Sequence, residues 1–306
     1  VVVAGLFLFQ YLYSPQELKL SITGPREVRS GERAEYEVFF ENGARSAMKE
    51  TSVTFRAGRA AQFAEAPEQI VIQRTGAPEL TPGSRRKEIV SLKFFGQPGE
   101  ERDFEVIFRY QLGNLATRFE ESQRFKVTIA SASITFDLNM PNRVISQDPF
   151  RFSIGWKNVL PDPIPQGFVN LELPGEFELV DVNPKPEEGK SRWQVKNLAP
   201  DASETITLTG KLLVPEGEVR RLKVNFEIPI RGELIVISSN EAEIALIGNP
   251  LSLAISVNNF QEYIATPGEV LEYRISFKNN FELALRDVII TVLLDSPMYD
   301  MSAVSA

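Results

Sequence analysis

The residue types that most often carry catalysis are missing from this chain. It contains no histidine and no cysteine among its 306 residues. Zinc sites of the usual kind need those residues, and Ser-His-Asp or Cys-His catalysis needs an imidazole or a thiolate. The sequence also has no phosphate-binding loop of the G-x-x-x-x-G-K-[ST] or G-x-G-x-x-G type. We therefore expect no enzymatic activity, no bound metal and no cofactor.

Carboxylates and Lys–Asn pairs are the remaining groups that could do chemistry. The densest acidic runs are residues 100–103, 120–121 and 187–188. Neighbouring side chains on a strand point to opposite faces, so these runs are typical of solvated loops and strand edges. The pairs Lys157-Asn158 and Lys278-Asn279 suggest an isopeptide cross-link, but neighbours on one strand cannot bond each other. We interpret both asparagines as turn-capping residues. No Asp-x-Asp-x-Asp-Gly loop is present, and calcium at a joint between domains stays open.

A motif that occurs three times indicates the architecture that must position these residues. Its form is Gly-Glu-x-x-x-Tyr-x-(Val/Ile)-x-Phe-x-Asn at residues 31–42 and 268–279. A diverged copy, Gln-Asp-x-x-x-Phe-x-Ile-x-Trp-x-Asn, occupies residues 147–158. The copies start 116 residues apart (31 to 147) and 121 residues apart (147 to 268), which is a domain-sized period. The chain is therefore predicted to be an array of similar domains.

Each copy of the motif alternates apolar and polar residues, which predicts a strand with one face in a core. The predicted core residues are Tyr36, Val38, Phe40, Phe152, Ile154, Trp156, Tyr273, Ile275 and Phe277. A further strand follows at residues 53–55, 169–171 and 290–292, at the same spacing. Glycine at the start of the motif suits a turn with positive φ. The second copy lacks this glycine and carries Pro149 and a proline-rich loop at residues 161–165, so its first hairpin is expected to be reshaped.

About seven short strands in each repeat, separated by proline and glycine, are typical of an immunoglobulin-like sandwich. We expect an all-β fold of tandem immunoglobulin-like β-sandwiches. The predicted domains are residues 17–130 and 131–248, with the N-terminal half of a third domain at residues 249–306. The joints at residues 130–132 and 248–250 are short, so the array should be a semi-rigid rod.

Residues 1–16 are predicted to be the end of a membrane-anchor helix. Residues 1–13 hold one polar side chain, that of Gln10, and Ser14-Pro15 ends the helix. Thirteen helical residues span about 20 Å of a hydrocarbon core of about 30 Å, so we expect a longer apolar segment. The predicted membrane-anchor residues are Val2, Val3, Leu6, Phe7, Leu8, Phe9, Tyr11, Leu12 and Tyr13. Two alternatives stay open, a buried N-terminal strand of the first sandwich and a pilin-like helix inside a filament.

The charge distribution argues against nucleic acid as a partner. The formal net charge is −8, with a nearly balanced first domain and an acidic remainder. A duplex-binding protein needs a concentrated basic face, and the sequence has none. We also expect no small-molecule substrate, because no motif for one is present.

The motif strands GERAEYEVFFEN (residues 31–42) and GEVLEYRISFKNN (residues 268–280), with LRDVIITV after them, resemble a known group. They are similar to the tandem Ig-like repeats of bacterial and archaeal surface proteins, including the family named for cell-adhesion-related domains in bacteria. The resemblance covers about residues 17–306.

This resemblance implies a prokaryotic, single-pass membrane protein whose Ig-like domains lie outside the cell. Its role would be structural or adhesive, as a stalk that presents or spaces partners. The N-terminus would contact lipid or another transmembrane helix, and the domains would contact other surface proteins or copies of the chain. The alternatives are a subunit of an extracellular filament and the stalk of a larger surface enzyme.

Overall fold

The computed structural model describes residues 18–187, 189, 191–249, 251–280, 286–297 and 299–304. Within these residues the fold is all-β, with twenty strands in five sheets. One 3₁₀ turn, Met301–Ala303, is the only helical element of the described ranges. The anchor helix predicted at residues 1–16 lies outside the described residues.

The first nine strands form two sheets that enclose one core, as in a β-sandwich; we call them the first sheet pair. The strands are β1 (Leu18–Thr23), β2 (Glu27–Arg29), β3 (Arg33–Asn42), β4 (Met48–Ala57), β5 (Ala61–Phe63), β6 (Val71–Thr75), β7 (Arg85–Phe94), β8 (Glu101–Leu112) and β9 (Arg118–Ser131). The strand order is β1-β3-β7-β5 in one sheet and β2-β9-β8-β4-β6 in the other. Only the short β2 runs parallel to its neighbour, β9, and the other ladders of this pair are antiparallel.

The next nine strands repeat this topology; we call them the second sheet pair. The strands are β10 (Ile134–Asn139), β11 (Arg143–Ile145), β12 (Phe150–Asn158), β13 (Ile164–Glu172), β14 (Phe177–Asn183), β15 (Arg192–Leu198), β16 (Ser203–Leu212), β17 (Val219–Ile230) and β18 (Glu233–Ile247). Their orders, β10-β12-β16-β14 and β11-β18-β17-β13-β15, match the first pair strand for strand. The sequence repeat of 116 residues is therefore also a repeat of topology.

The two sheets of the first pair share an aromatic core. Tyr36 and Phe40 on β3 meet Phe104 and Phe108 on β8 of the facing sheet, and each ring is at most 1% exposed. Phe40 and Phe108 stack with centroids 4.6 Å apart, and Tyr36 lies 4.8 Å from Phe104. Burial of each large apolar side chain contributes about 1.5–3 kcal/mol, so this packing can hold the fold without disulfides.

The turn before the motif strand has positive φ in all three copies. The φ angles are 74° at Gly31, 66° at Gln147 and 83° at Gly268. The Gly31 N–H donates to the Phe94 carbonyl at 2.7 Å, and the Gln147 N–H donates to the Leu212 carbonyl at 3.0 Å. The expected reshaping of the second hairpin is therefore wrong. The ladder bond holds the glutamine in the left-handed region, at a cost of roughly 1–2 kcal/mol.

The asparagine that ends the motif hydrogen bonds two loops to the strand. Asn42 Nδ2 donates to the Leu80 carbonyl at 2.7 Å, and Asn158 Nδ2 donates to the Leu198 carbonyl at 3.0 Å. Each Oδ1 accepts the backbone N–H two residues later at 2.9 Å, and both side chains are fully buried. The motif asparagine therefore satisfies buried backbone groups that no strand partner reaches.

The third copy of the motif forms only a two-stranded sheet in the described residues. This sheet consists of β19 (Leu251–Val257) and β20 (Tyr273–Asn279), which pair antiparallel. The expected burial fails at Tyr273, which is 36% exposed, and at Phe277, which is 65% exposed, while Ile275 is half-buried. The strand predicted at residues 290–292 is also not found. No described strand faces this sheet or pairs with residues 290–292, so the alternating pattern has nothing to bury against.

Candidate functional site: the joint between the two sheet pairs

The two sheet pairs meet in an apolar contact, which we call the joint. Ala60 and Phe95 of the first pair belong to one buried cluster with Leu160, Ile230 and Ile235 of the second pair. Phe95 and Leu160 are each only 8% exposed. The apolar core of the second pair thus extends into side chains supplied by the first. A contact of this kind opposes bending between the two units, because bending exposes apolar surface to water.

Phe95 reaches the joint because two phenylalanines stand in succession at the end of β7. Side chains alternate along a strand, so Phe94 faces its own core and Phe95 points away from it. The Phe95 N–H donates to the Ala60 carbonyl at 2.8 Å. Its carbonyl accepts the Arg102 Nε–H at 2.7 Å. The backbone around Phe95 is therefore fixed on both sides.

Gly31 allows the close approach at the joint. A Cβ at this position would lie 3.1 Å from the Phe95 ring and 3.3 Å from a Leu160 methyl. These distances are shorter than ordinary contacts, and φ at Gly31 is positive as well. The motif glycine of the first copy therefore serves both the turn and the joint.

Arg231 connects the second sheet pair to the backbone of the first. It forms a two-residue hairpin turn with Gly232 between β17 and β18, with φ values of 48° and 83°. Positive φ at both positions is the conformation of a type I′ turn, which suits the strand twist. Arg231 Nη1 donates to the Ala61 carbonyl at 2.9 Å, and Nη2 donates to the Gly58 carbonyl at 3.2 Å. One guanidinium thus bonds a carbonyl of the turn between β4 and β5 and the carbonyl of the first residue of β5.

Arg29 forms a second polar connection, beside the short linker between the sheet pairs. Its Nη1 donates to the Val159 carbonyl of the second pair at 3.0 Å. Its Nε lies 3.3 Å from Ser131 Oγ, at the start of the linker. The Val159 N–H donates to the Ser133 carbonyl at 3.0 Å. The linker is therefore bonded to residues on both of its sides.

Two ion pairs lie at the margin of the joint. Lys93 Nζ is 2.9 Å from Asp162 Oδ2, and Arg59 Nε is 3.2 Å from Glu233 Oε2. Three of these side chains are more than half exposed. Exposed pairs contribute about 0–1 kcal/mol, so the apolar contact and the arginine–carbonyl bonds must fix the geometry of the joint.

Two of the acidic runs, residues 100–103 and 120–121, include carboxylates that face cations of neighbouring strands. Glu101 pairs with Lys126 at 2.9 Å, and Glu120 pairs with Arg109 at 2.6 Å. Within the described ranges, no three Asp or Glu side chains come together in an arrangement that could hold a metal ion. These two acidic runs therefore contribute cross-strand ion pairs on a sheet surface.

Lys157 and Asn158 point to different environments. Lys157 Nζ lies 2.8 Å from Asp201 Oδ1 at the surface, whereas the Asn158 amide is buried and bonded to backbone carbonyls. The interpretation of this asparagine as a turn-capping residue agrees with its contacts. The amide is engaged in three donor contacts, to the carbonyls of residues 162, 198 and 199.

Burial is the main cause of the pKa shifts in the two cores. Burial raises the pKa of Tyr36, whose hydroxyl donates to the Pro25 carbonyl at 3.0 Å. Burial, and then the charge of Glu121, raises the pKa of Tyr110 to about 12. Glu204 lies opposite Trp156 on β16 at an exposed position, and partial burial of its carboxyl raises its pKa. Catalytic sites usually combine burial with a specific charged partner aimed at a cleft, and these three groups lie at separate positions.

The predicted site residues fall into three groups. Six of the predicted core residues are buried in the two sheet pairs: Tyr36, Val38, Phe40, Phe152, Ile154 and Trp156. Tyr273, Ile275 and Phe277 form the sheet surface described above. The predicted anchor residues lie outside the described residues. Across the described residues, no helix has the length and apolar character needed to cross a bilayer.

Sequence reasoning missed the arginines and the phenylalanine of the joint. Phe94-Phe95 was a usable signal, because alternation cannot place both rings in one core. Arg231-Gly232 between two alternating strands was a hairpin signal. Neither signal says which carbonyls the guanidinium contacts.

Comparison with known proteins gives no family. No family model matches the chain, and no curated protein matches it. Among solved structures, red sea bream transglutaminase is similar at a TM-score of 0.37 and 12% identity, over 76% of this chain and 32% of that one. Salmonella alpha-2-macroglobulin reacted with methylamine has a TM-score of 0.32 and 14% identity, over 80% and 17%. Native Escherichia coli alpha-2-macroglobulin has a TM-score of 0.31 and 15% identity, over 81% of this chain and 18% of that one. The chain spans less than a third of each, and these values support no argument about function.

Proposed function

We propose that this chain is a structural protein, a membrane-anchored stalk of immunoglobulin-like domains that spaces or presents partners outside the cell. The joint is the observation that carries this proposal. A spacer must keep its domains in a fixed arrangement, and a buried apolar contact with arginine–carbonyl bonds supports such an arrangement. The role would be carried by shape and reach, with no turnover by the chain itself.

The domains of the stalk are taken as residues 17–130, residues 131–248 and residues 249–306. We assign the immunoglobulin-like class because each sheet pair combines a four-stranded and a five-stranded sheet. Seven or more short antiparallel strands in about 115 residues are typical of that class. Several surface carboxylates, among them Glu101 and Glu120, lie in cross-strand ion pairs, which is compatible with a spacer surface.

A distance measurement tests the stalk. The natural chain has no cysteine, so two introduced cysteines are the only labelling sites. We would place spin labels at the exposed positions Ser122 and Lys185, one in each sheet pair, on the full chain in mild detergent. A single narrow distance distribution is expected. A broad distribution that spans compact and extended arrangements would remove the spacer argument.

Membrane attachment at residues 1–16 is the second part of the proposal. Its support is the apolar sequence of residues 1–13 followed by Ser14-Pro15. The intact chain should float with lipid vesicles, and a variant with Leu8→Arg and Phe9→Arg should not. Removal of residues 1–14 should release a folded, soluble protein. A truncated protein that unfolds would indicate that the segment is instead a strand of the first domain.

A further inference from the structure

Asn42 is followed by Gly43, and this is the only Asn-Gly step in the 306-residue sequence. In such a step the backbone nitrogen of the glycine can attack the side-chain carbonyl carbon of the asparagine, because glycine has no Cβ to crowd the approach. A bond forms between this nitrogen and Cγ, and the bond between Cγ and Nδ2 breaks. Ammonia leaves with the proton of the glycine amide, and water then opens the cyclic imide to aspartate or isoaspartate.

The folded chain holds the backbone of Asn42 on both sides. The Asn42 N–H donates to the Ser84 carbonyl at 3.0 Å, and the Asn42 carbonyl accepts the Gly83 N–H at 2.7 Å. Asn42 is the last residue of β3, so its backbone is extended. Cyclisation requires rotation about the backbone and the side chain of Asn42, and these two bonds oppose rotation of the backbone.

The side chain of Asn42 is held as well. Its Nδ2 donates to the Leu80 carbonyl at 2.7 Å and to the Ser46 carbonyl at 3.0 Å. Its Oδ1 accepts the Ala44 N–H at 2.9 Å. Asn42 is fully buried, whereas Gly43 is exposed. The group that would be attacked is therefore buried and fixed beside an exposed glycine.

We propose that Asn42-Gly43 is a deamidation site that the folded first sheet pair protects and that local opening exposes. Opening of the loops at residues 43–47 and 80–84 breaks the contacts described above. Reaction in the open state yields a carboxylate, which accepts hydrogen bonds but cannot donate to the carbonyls of Ser46 and Leu80. Closure would then bring a buried charge against two carbonyl oxygens. The modification makes a transient opening irreversible, and this inference does not depend on the proposed stalk.

The second sheet pair contains the same contacts without the reactive step. The Asn158 N–H donates to the Ala202 carbonyl, and the Asn158 carbonyl accepts the Asp201 N–H, both at 3.1 Å. The Asn158 side chain is buried and bonded to backbone carbonyls, as is that of Asn42. The next residue is Val159, whose branched Cβ crowds the backbone nitrogen and slows cyclisation. The residue after the asparagine thus distinguishes a reactive from an unreactive copy of one buried arrangement.

Peptide mapping by mass spectrometry tests the proposal on the 306-residue chain in mild detergent. The chain is incubated in mildly alkaline buffer, without urea and in urea that unfolds it. A synthetic peptide of residues 37–47 gives the rate for the unstructured sequence. Conversion of Asn42 should be at least about 100-fold slower in the folded chain than in the peptide, since buried segments open rarely. In the unfolded chain the rate should approach that of the peptide.

Hydrogen exchange shows whether the reaction follows opening. The Gly83 N–H donates to the Asn42 carbonyl, so its exchange reports the same opening. As urea is raised below the unfolding midpoint, exchange at Gly83 and deamidation at Asn42 should accelerate in parallel. Faster exchange at Gly83 with an unchanged rate of deamidation would overturn the proposed coupling.

Variants at the residue after each asparagine provide matched controls. In urea, Gly43→Val should slow conversion of Asn42, and Val159→Gly should accelerate conversion of Asn158, each by about tenfold or more. Each variant introduces the residue that the other copy carries naturally, so both should fold. Asn42→Asp has the product side chain on an unaltered backbone, and it should lower the melting temperature by about 5 °C or more.

Two further results would overturn the proposal. Equal rates of conversion in the folded chain and in the peptide would show that the fold does not protect Asn42. An Asn42→Asp variant that melts like the natural chain would show that the product does not oppose closure of the loops.

Discussion

Arg231→Ala should loosen the joint without unfolding either sheet pair. The guanidinium donates at 2.9 Å and 3.2 Å to two carbonyls of the other pair. A hydrogen bond from a charged donor contributes about 1.5–3 kcal/mol. We take about 2 kcal/mol for both bonds together, because the side chain is only partly buried. This loss corresponds to an opening equilibrium that rises about 30-fold. Alanine, like arginine, must adopt a positive φ at this position, so the substitution should change the turn itself little.

Hydrogen exchange reports this opening through the access of water to the joint. Phe95 is covered at the joint, and its N–H donates to the Ala60 carbonyl of the same sheet pair, so its exchange should accelerate by up to about 30-fold in the variant. Amides in the middle of β8 should keep their exchange rates. Arg221→Ala is the matched control, since Arg221 lies on the same hairpin and pairs with Glu243 at the surface. Unchanged exchange at Phe95, or equal acceleration in the control, would refute the role assigned to Arg231.

Three further predictions concern the second sheet pair. Trp156→Ala should lower the free energy of unfolding by about 3–5 kcal/mol, because Trp156 is 3% exposed in the core. The control Phe277→Ala, at an exposed position, should change the free energy of unfolding by less than about 0.5 kcal/mol. A small change for Trp156→Ala in urea denaturation would contradict the burial of Trp156. Gln147→Gly should raise the free energy of unfolding by about 0.5–1 kcal/mol, since glycine adopts positive φ without strain, and the same urea titration checks it. Glu204→Gln should raise the melting temperature at neutral pH but not near pH 3. Burial raises the folded-state pKa of Glu204, so the folded state binds more protons than the unfolded state between the two pKa values. The stability of the natural chain therefore falls as pH rises from the unfolded pKa through the folded pKa. Equal melting shifts of the variant at both pH values would contradict the raised pKa of Glu204.

The strands of the repeat could be predicted from the sequence because their signal is local. Alternation in β3, β12 and β20 requires only neighbouring residues, and the common spacing supplied the order of the copies. The short parallel strands β2 and β11 were missed. Three residues carry too little pattern, and their pairing with the distant β9 and β18 is decided by the tertiary fold.

The burial of a side chain and the conformation of a turn could not be predicted where they depend on contacts with residues distant in the sequence. Phe277 has the same sequence context as Phe40, yet it is exposed because no described sheet covers it. Gln147 was expected to alter its hairpin, but the bond to the Leu212 carbonyl outweighs the intrinsic preference of glutamine. The contacts of Arg231 depend on how the two sheet pairs meet, and no local pattern contains that information.

The repeat also indicates that the close apolar contact is specific to the first joint. Leu213 of the second sheet pair follows β16 as Phe95 follows β7, but it is 49% exposed. The position of Gly31 is taken by Gln147, whose side chain would occupy the space that Phe95 and Leu160 fill at the first joint. A contact of the same geometry on the outer end of the second pair would therefore clash. Since the glycine that permits close approach is not repeated, we expect successive joints of this chain to differ in geometry. Spin labels that flank Leu213 on β16 and β19 should give a distance distribution different from that across the first joint, and identical distributions would refute this reasoning.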